Sequence, residues 1–152
     1  MNEERYHKLR YNADYTIFIF ASTGRHGDLL KIVSFDEIDD FSNTYNLALG
    51  TLLPGGDVDY NSITNNGDRN KVLATVAQII NIFMEQHPGR TVYIKGSDQR
   101  RTILYQRAIN YGYDELIKLF NIYGEISTEN EEYELFEKSK RYSGFLIEKK
   151  GY

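Results

Sequence analysis

The first half of the chain reads as strands, and the pattern of apolar residues changes to a helical period after it. Tyr15–Ser22 (YTIFIFAS) is a β-branched and aromatic run, apolar on both faces, which predicts a central strand. Thr23–Asp28 (TGRHGD) is turn chemistry of six residues, and Leu29–Phe35 (LLKIVSF) reads as the hairpin partner. Asp36–Asn43 is a polar, acidic connection. Thr44–Thr51 alternates, with Tyr45, Leu47 and Leu49 on one face. Leu53–Asp57 (LPGGD) is a turn, and Val58–Thr64 a more polar strand near an edge.

The period then changes. Asn65-Asn66-Gly67 turns the chain, and Asp68 is placed to N-cap a helix over about 69–87. Val72, Leu73, Val76, Ile80 and Phe83 recur at helical spacing, and only Lys71, Thr75, Gln78 and Glu85 mark a narrow polar stripe. Such a helix packs over a wide arc. Pro88-Gly89 ends it. Thr91–Lys95 (TVYIK) is a short strand, and Gly96-Ser97-Asp98 turns it into a helix over about 99–110, with Gly112 at C′. Asp114–Phe120 reads as a third, shorter helix, and Asn121–Ser127 and Ser143–Lys149 as strands. Glu129–Glu137 carries no readable period. The expectation is one α+β domain over 1–152. A mainly antiparallel sheet of about five to seven strands carries helix 69–87 on one face, with helix 99–110 beside it. Val58–Thr64, the long helix and Thr91–Lys95 would make a crossover unit with a parallel strand pair.

Composition narrows the class. At 152 residues and 17.7 kDa the chain has room for one core. No cysteine is present, which excludes disulfides, thiolate metal sites and a cysteine nucleophile. The N-terminal MNEERYHKLRYN lacks the apolar core of a signal peptide, and no run approaches the ~18 apolar residues of a membrane span. A cytoplasmic protein without a membrane partner is the expectation. The formal charge of −4 is uneven: residues 1–70 carry −5, residues 71–124 carry +3 and residues 125–152 carry −2. An anionic ligand is drawn to the middle. Tyrosine is abundant, with 13 copies, and suits both cores that reach the surface and wet interfaces.

Two stretches, Thr64–Ile80 (TNNGDRNKVLATVAQII) and Val92–Ile109 (VYIKGSDQRRTILYQRAI), together with the "TIFIF" and "YNLALG" strands, resemble a family of small uncharacterised single-domain α+β proteins, mostly of Bacteroidota. The resemblance spans nearly the whole chain. That family has threonine after the glycine-serine pair, where this chain has Asp98, so a role needing a hydroxyl there does not carry over. The family brings no established activity; the resemblance implies one domain and a bacterial cytosolic source.

Thr91–Arg107 holds the candidate chemistry. A helix start offers free N–H groups and a partial positive charge. Here a Gly-Ser turn leads into one, with Lys95, Ser97, Arg100, Arg101 and Arg107 around it as an anion-binding set. At ~100° per residue, Arg101 falls near Leu104 and Ala108, on the face expected to be buried. Arg100 and Arg107 lie about 20° apart on one side. An arginine on an apolar face needs a partner. That partner is an acidic side chain elsewhere in the fold, with Ser97 or Asp98 as ordinary cap, or it is a bound phosphate. Asp98 sets a negative charge where an anion would sit. The stretch is neither a P-loop nor a Rossmann fingerprint.

His26, beside Arg25 in the Gly-flanked turn, is a candidate catalytic residue with Arg101 for phosphodiester cleavage; the alternative is a solvated loop histidine. Asp36, Glu37, Asp39 and Asp40 match no EF-hand loop and read as a solvated turn, so no metal and no cofactor is expected. His7 and His87 read as chain-end and helix-end residues, and Asn65, Asn66 and Asp68 as turn and cap residues.

Three functions follow from these features. The first, adopted here, is a small binding or regulatory module that recognises a phosphate-bearing ligand, RNA included, or a protein partner through Thr91–Arg107. The second is a metal-independent RNase-like, toxin-type enzyme. The third is a homo-oligomeric interaction protein, a homodimer in the simplest case, built on exposed tyrosines.

Overall fold

The structure is a computed structural model and describes residues 5–38, 43–61, 66–127 and 129–151. A two-residue strand, β1 (Arg10–Tyr11), edges the sheet. β2 (Ile17–Gly24) and β3 (Gly27–Glu37) form the expected hairpin. The loop expected over Thr23–Asp28 shrinks to a two-residue turn, because Thr23 pairs with Asp28 and Gly24 with Gly27, whose φ is 78°. β4 (Thr44–Leu52) pairs antiparallel with β3, and β5 (Val58–Asp59) is a two-residue strand against the end of β4. Tyr60 and Asn61, part of the strand expected to Thr64, are not in a strand; residues 62–64, along with Asp39, Asp40 and Asn65, lie outside the described residues, as do positions 1–4, 128 and 152.

α1 (Arg69–Gln86) crosses the sheet and leads into β6 (Thr91–Ile94). The parallel pair is there, but the partner of β6 is β4, with Thr44 opposite Thr91 and Leu47 opposite Ile94. Val58–Asp59 runs antiparallel on β4. Alternation shows that a strand has a buried face and is silent about which neighbour it takes. α2 (Gln99–Leu119) fuses the two helices expected at 99–110 and 114–120. Gly112 is not a C′ residue. It is buried inside α2, and Ile109 and Leu116 on the same side are buried too. That packing outweighs the ~1 kcal/mol that a mid-helix glycine costs.

β7 (Phe120–Ser127), β8 (Glu132–Leu135) and β9 (Phe145–Lys149) complete a sheet in the order β1-β2-β3-β4-β6-β9-β7-β8. Among the described residues that makes nine strands, more than the five to seven expected. The two added are β1, too short for a period, and β8, hidden in the glutamate-rich stretch. All neighbours but β4 and β6 are antiparallel. The class is α+β.

Both helices lie on one face of the sheet. Phe35 of β3 and Phe83 of α1 stack at 4.1 Å between ring centroids. Ile79, Phe83, Val92 and Phe145 are fully buried between the layers. Of the residues expected to anchor α1, Val76, Ile80 and Phe83 are buried and Leu73 is half-buried. Thr75, assigned to the polar stripe, is also fully buried: its hydroxyl accepts the Tyr6 N–H at 2.9 Å and donates to the Lys71 carbonyl at 2.7 Å. The segment before β1 thus straps the stripe. At the other end of α1, the Nε2–H of His87 donates to the Asp14 carbonyl at 2.6 Å. Gln106 of α2 clasps the β8–β9 connection, donating to the Lys140 carbonyl and accepting from the Tyr142 N–H.

Ile80→Ala should cost about 2–5 kcal/mol, the usual loss for a buried aliphatic side chain. Denaturant unfolding checks it; an unshifted midpoint would mean that α1 does not rest on the sheet.

Candidate functional site

β4 and β6 run parallel, so α1 and α2, which flank β6 in sequence, both begin at the C-terminal ends of these strands. In doubly wound α/β sheets that edge receives ligands; here one parallel pair sets two helix starts there. That edge is also where β4 loses its neighbours: β6 pairs as far as Leu47 and β5 starts opposite Thr51. Among the described residues the stretch between has no strand partner on that side.

Arg101 fills this gap. It sits on the first turn of α2, is 8% exposed, and donates to the Leu49 carbonyl at 3.1 Å and the Tyr105 hydroxyl at 3.4 Å. It is buried, as its helical position predicts, and its guanidinium reaches the Leu49 carbonyl of β4. The buried face of α2, which runs through Arg101, Thr102, Gln106, Ile109, Gly112 and Leu116, is centred about 90° beyond the expected one, which leaves Leu104 and Ala108 half-buried at its margin. Gly96 lets the helix start this close. A Cβ there would lie 2.6 Å from Cβ of Arg101 and 2.4 Å from the Thr102 backbone nitrogen. Asp98 is the N-cap: its carboxylate accepts the Arg101 N–H at 2.9 Å. Ser97 is exposed and donates to the Tyr60 carbonyl at 3.2 Å. Lys95 and Arg100 are exposed around the same helix start, and Arg107 is exposed two turns further along α2.

A second buried cation, Lys31 of β3, stands at this end of the covered face. It shares that face with Val33 and Phe35 and is 8% exposed. Its ammonium donates to Thr51 Oγ1, in register across the strands, at 2.8 Å. Burial lowers its pKa from the ordinary 10.5, and Arg101 lowers it further, while Asp68 and Asp59 act in the opposite direction. Two cations, two carboxylates and the positive ends of two helices therefore share one end of the core. Lys31 escaped the sequence reading because LLKIVSF scans as a hairpin strand. The usable signal was its period-two alignment with Val33 and Phe35, which sets a lysine on the buried face.

The hairpin turn closes over the start of α1. Asn66, 3% exposed, accepts the His26 N–H on Oδ1 at 2.7 Å and donates to Ser22 Oγ and the Gly27 carbonyl, both at 3.1 Å. Gly24 makes this approach possible, since a Cβ there would lie 1.8 Å from the Asn66 carbonyl oxygen. Asn66 is a latch for the hairpin as well as a turn residue. Asp68 stands at the N-cap position, but its side chain makes no capping bond. Its carboxylate accepts from Ser22 Oγ at 2.6 Å and from the Tyr6 hydroxyl. His26 and Arg25 are exposed at the tip of the turn, on the rim of the end that holds Arg101. The structure thus sets His26, Lys95, Ser97, Arg100 and Arg101 at one end of the sheet, with Arg107 two turns further along α2. Among the described residues no group of three or more histidine, cysteine or acidic side chains could hold a metal.

The sequence profile of a family of unknown function, DUF6934, matches residues 2–150. The chain belongs to that family. No curated protein matches, and no solved structure does. For this DUF6934 member the geometry of the end described above carries the functional argument. No helix of the described residues is long and apolar enough to cross a membrane.

Between the lowered pKa of Lys31 and the ordinary 10.5, the unfolded chain holds a proton that the folded protein has released. Stability gains from this residue as pH rises through that window and loses below it. Lys31→Met keeps the stem and should remove that gain. Denaturant unfolding of both proteins from neutral pH to about 10.5 checks it; parallel profiles would mean that the ammonium is not desolvated.

Proposed function

We propose that this DUF6934 protein is a small binding module for a phosphate-bearing partner, nucleotide or nucleic acid, taken at the end of the sheet where both helices begin. The observation that carries the reading is the pair of buried cations, Lys31 and Arg101, set behind the helix starts on the C-terminal edge of β4 and β6. A buried cation is costly, and two near each other cost more. Fixed positive charge at such an edge is useful for attracting phosphate. Lys95, Ser97, Arg100 and Arg107 form the exposed rim that would touch the ligand, with Arg25 and His26 across from them on the hairpin tip. Arg101 acts from beneath, holding α2 on β4 through the Leu49 carbonyl. Asp98 spends its charge on the Arg101 N–H, so the rim side chains, more than the helix amides, make the contact.

Rim and brace separate by experiment. Arg100→Ala and Arg107→Ala should fold as wild type, weaken binding of a short single-stranded RNA, and each reduce the salt slope by about one unit. Arg101→Ala strips a buried carbonyl of its donor and should cost about 1–3 kcal/mol in stability. Titration of wild type with phosphate and with RNA, alongside melts of the three variants, reads both effects. Wild type that binds neither phosphate nor RNA would overturn the function and leave Arg101 a brace.

A further inference from the structure

The sheet has a second face, and its register defines it. Ile19, Ile32, Gly50 and Leu52 mark one half, and Tyr93, Leu146 and Tyr123 pair in line across the other. Both helices lie on the opposite side. Ile17 is 40% exposed here, Leu30 44% and Leu135 67%. Val58 and Tyr60 shelter Gly50 at one corner. Most of the large apolar side chains that a strand of this protein exposes belong to this face, a concentration typical of an interaction surface.

Its charges say what it would accept. By register, the acids on described strand positions of this face are Asp28, Asp36, Glu148 and Glu125, the last of them buried at 3% exposure, and the cation is Arg10 at the far edge. The carboxylates are fixed. Glu148 accepts from the Tyr123 hydroxyl at 2.9 Å and from Asn121 at 3.1 Å. Glu125 accepts from Tyr93 at 2.7 Å and Tyr133 at 3.4 Å. Tyrosines on a sheet face would suit stacked nucleobases, but this face has the wrong sign for a phosphate backbone. A second copy would bring the same acids against these, a repulsion that works against pairing. What fits is apolar along the aliphatic half and positive opposite the carboxylates.

We propose that the uncovered sheet face is a docking surface for a cationic, apolar-striped segment of a partner protein. The aliphatic half, Ile17 to Leu52, seats the stripe, and Glu148 and Asp36 orient its lysines or arginines. This surface stands on different residues from the phosphate reading and survives or fails without it.

The test uses the full chain and three probes: a synthetic Leu/Lys amphipathic helix, its Leu/Glu counterpart and a short single-stranded RNA. Fluorescence anisotropy should show the Leu/Lys helix bound at least tenfold more tightly than the Leu/Glu helix. Leu30→Lys and Leu135→Lys alter exposed positions and should fold normally; each should weaken the Leu/Lys helix at least tenfold, and Glu148→Gln, which keeps an acceptor for Tyr123, several-fold. Asp114→Lys, an exposed acid on α2, is the control and should change the affinity less than twofold. Losses as large in Asp114→Lys as in the face variants would mean undirected attraction and overturn the proposal. So would RNA binding that Leu135→Lys removes, or a concentration-dependent dimer in light scattering that Leu30→Lys dissolves.

Discussion

The parallel pairing of β4 with β6 is the constraint on which the rest depends. Two adjacent parallel strands cannot be joined by a hairpin; the chain must leave the end of one and return to the start of the other. α1 makes that return, and it can do so only across a face of the sheet. Its apolar arc, from Val72 to Met84, is therefore buried against β2, β3 and β4. β6 then ends at the same edge as β4, so α2 starts beside α1. Each later feature inherits this placement: two helix starts at one end, a gap on β4 between the reach of β6 and the start of β5, and a second sheet face left without a helix.

The gap on β4 explains the buried charge. A carbonyl at the core's end with no strand opposite must find a donor. Arg101 supplies one from α2, with five N–H groups available where a single amide would otherwise be needed. Lys31 performs a related service one strand over by donating to Thr51. Asp68, drawn away from helix capping, lies close enough to favour the ammonium, as does Asp59 across from Thr51. The end of the core is thus a buried polar network, and its exposed cations are on the outside, at Lys95, Arg100 and Arg107.

Much of this was legible in the sequence, and the gaps have physical causes. α1 could be read because Val76, Ile80 and Phe83 recur at helical spacing and Pro88-Gly89 stops the run. β2, β3 and β4 could be read from alternation. The fusion of α2 could not, because Gly112 signals a helix end locally and only its burial overrides the signal. The partner of β6 could not, because two strands with the same alternation compete for it. At the site, the burial of Arg101 followed from its helical angle, whereas the direction of its guanidinium depended on a strand carbonyl that no local pattern announces. Asn66 and Asp68 looked like turn and cap residues because those needs are local, and their actual partners, Ser22 and the hairpin turn, are some forty residues away.

The tyrosine bias acquires a reason from the same accounting. Phenol groups donate to Asp68, Glu125, Glu134 and Glu148, through Tyr6, Tyr93 with Tyr133, Tyr142 and Tyr123 respectively. Glu134 is also paired with Lys140 at 3.0 Å; at Glu125 and Glu148 a tyrosine satisfies the carboxylate without the neutralising charge of a cation. The cost falls on the phenols. The pKa of Tyr93 is pushed up by burial first and by Glu125 next, and that of Tyr123 by Glu148 first. Because these phenols stay protonated, they remain donors, and Glu148 on the open face is held in position. A face built from Lys–Glu pairs would be neutral and could not select a partner by sign. The tyrosines therefore do on this side of the sheet what the aliphatic core cannot: they make a surface that is ordered, apolar in part and still negatively charged.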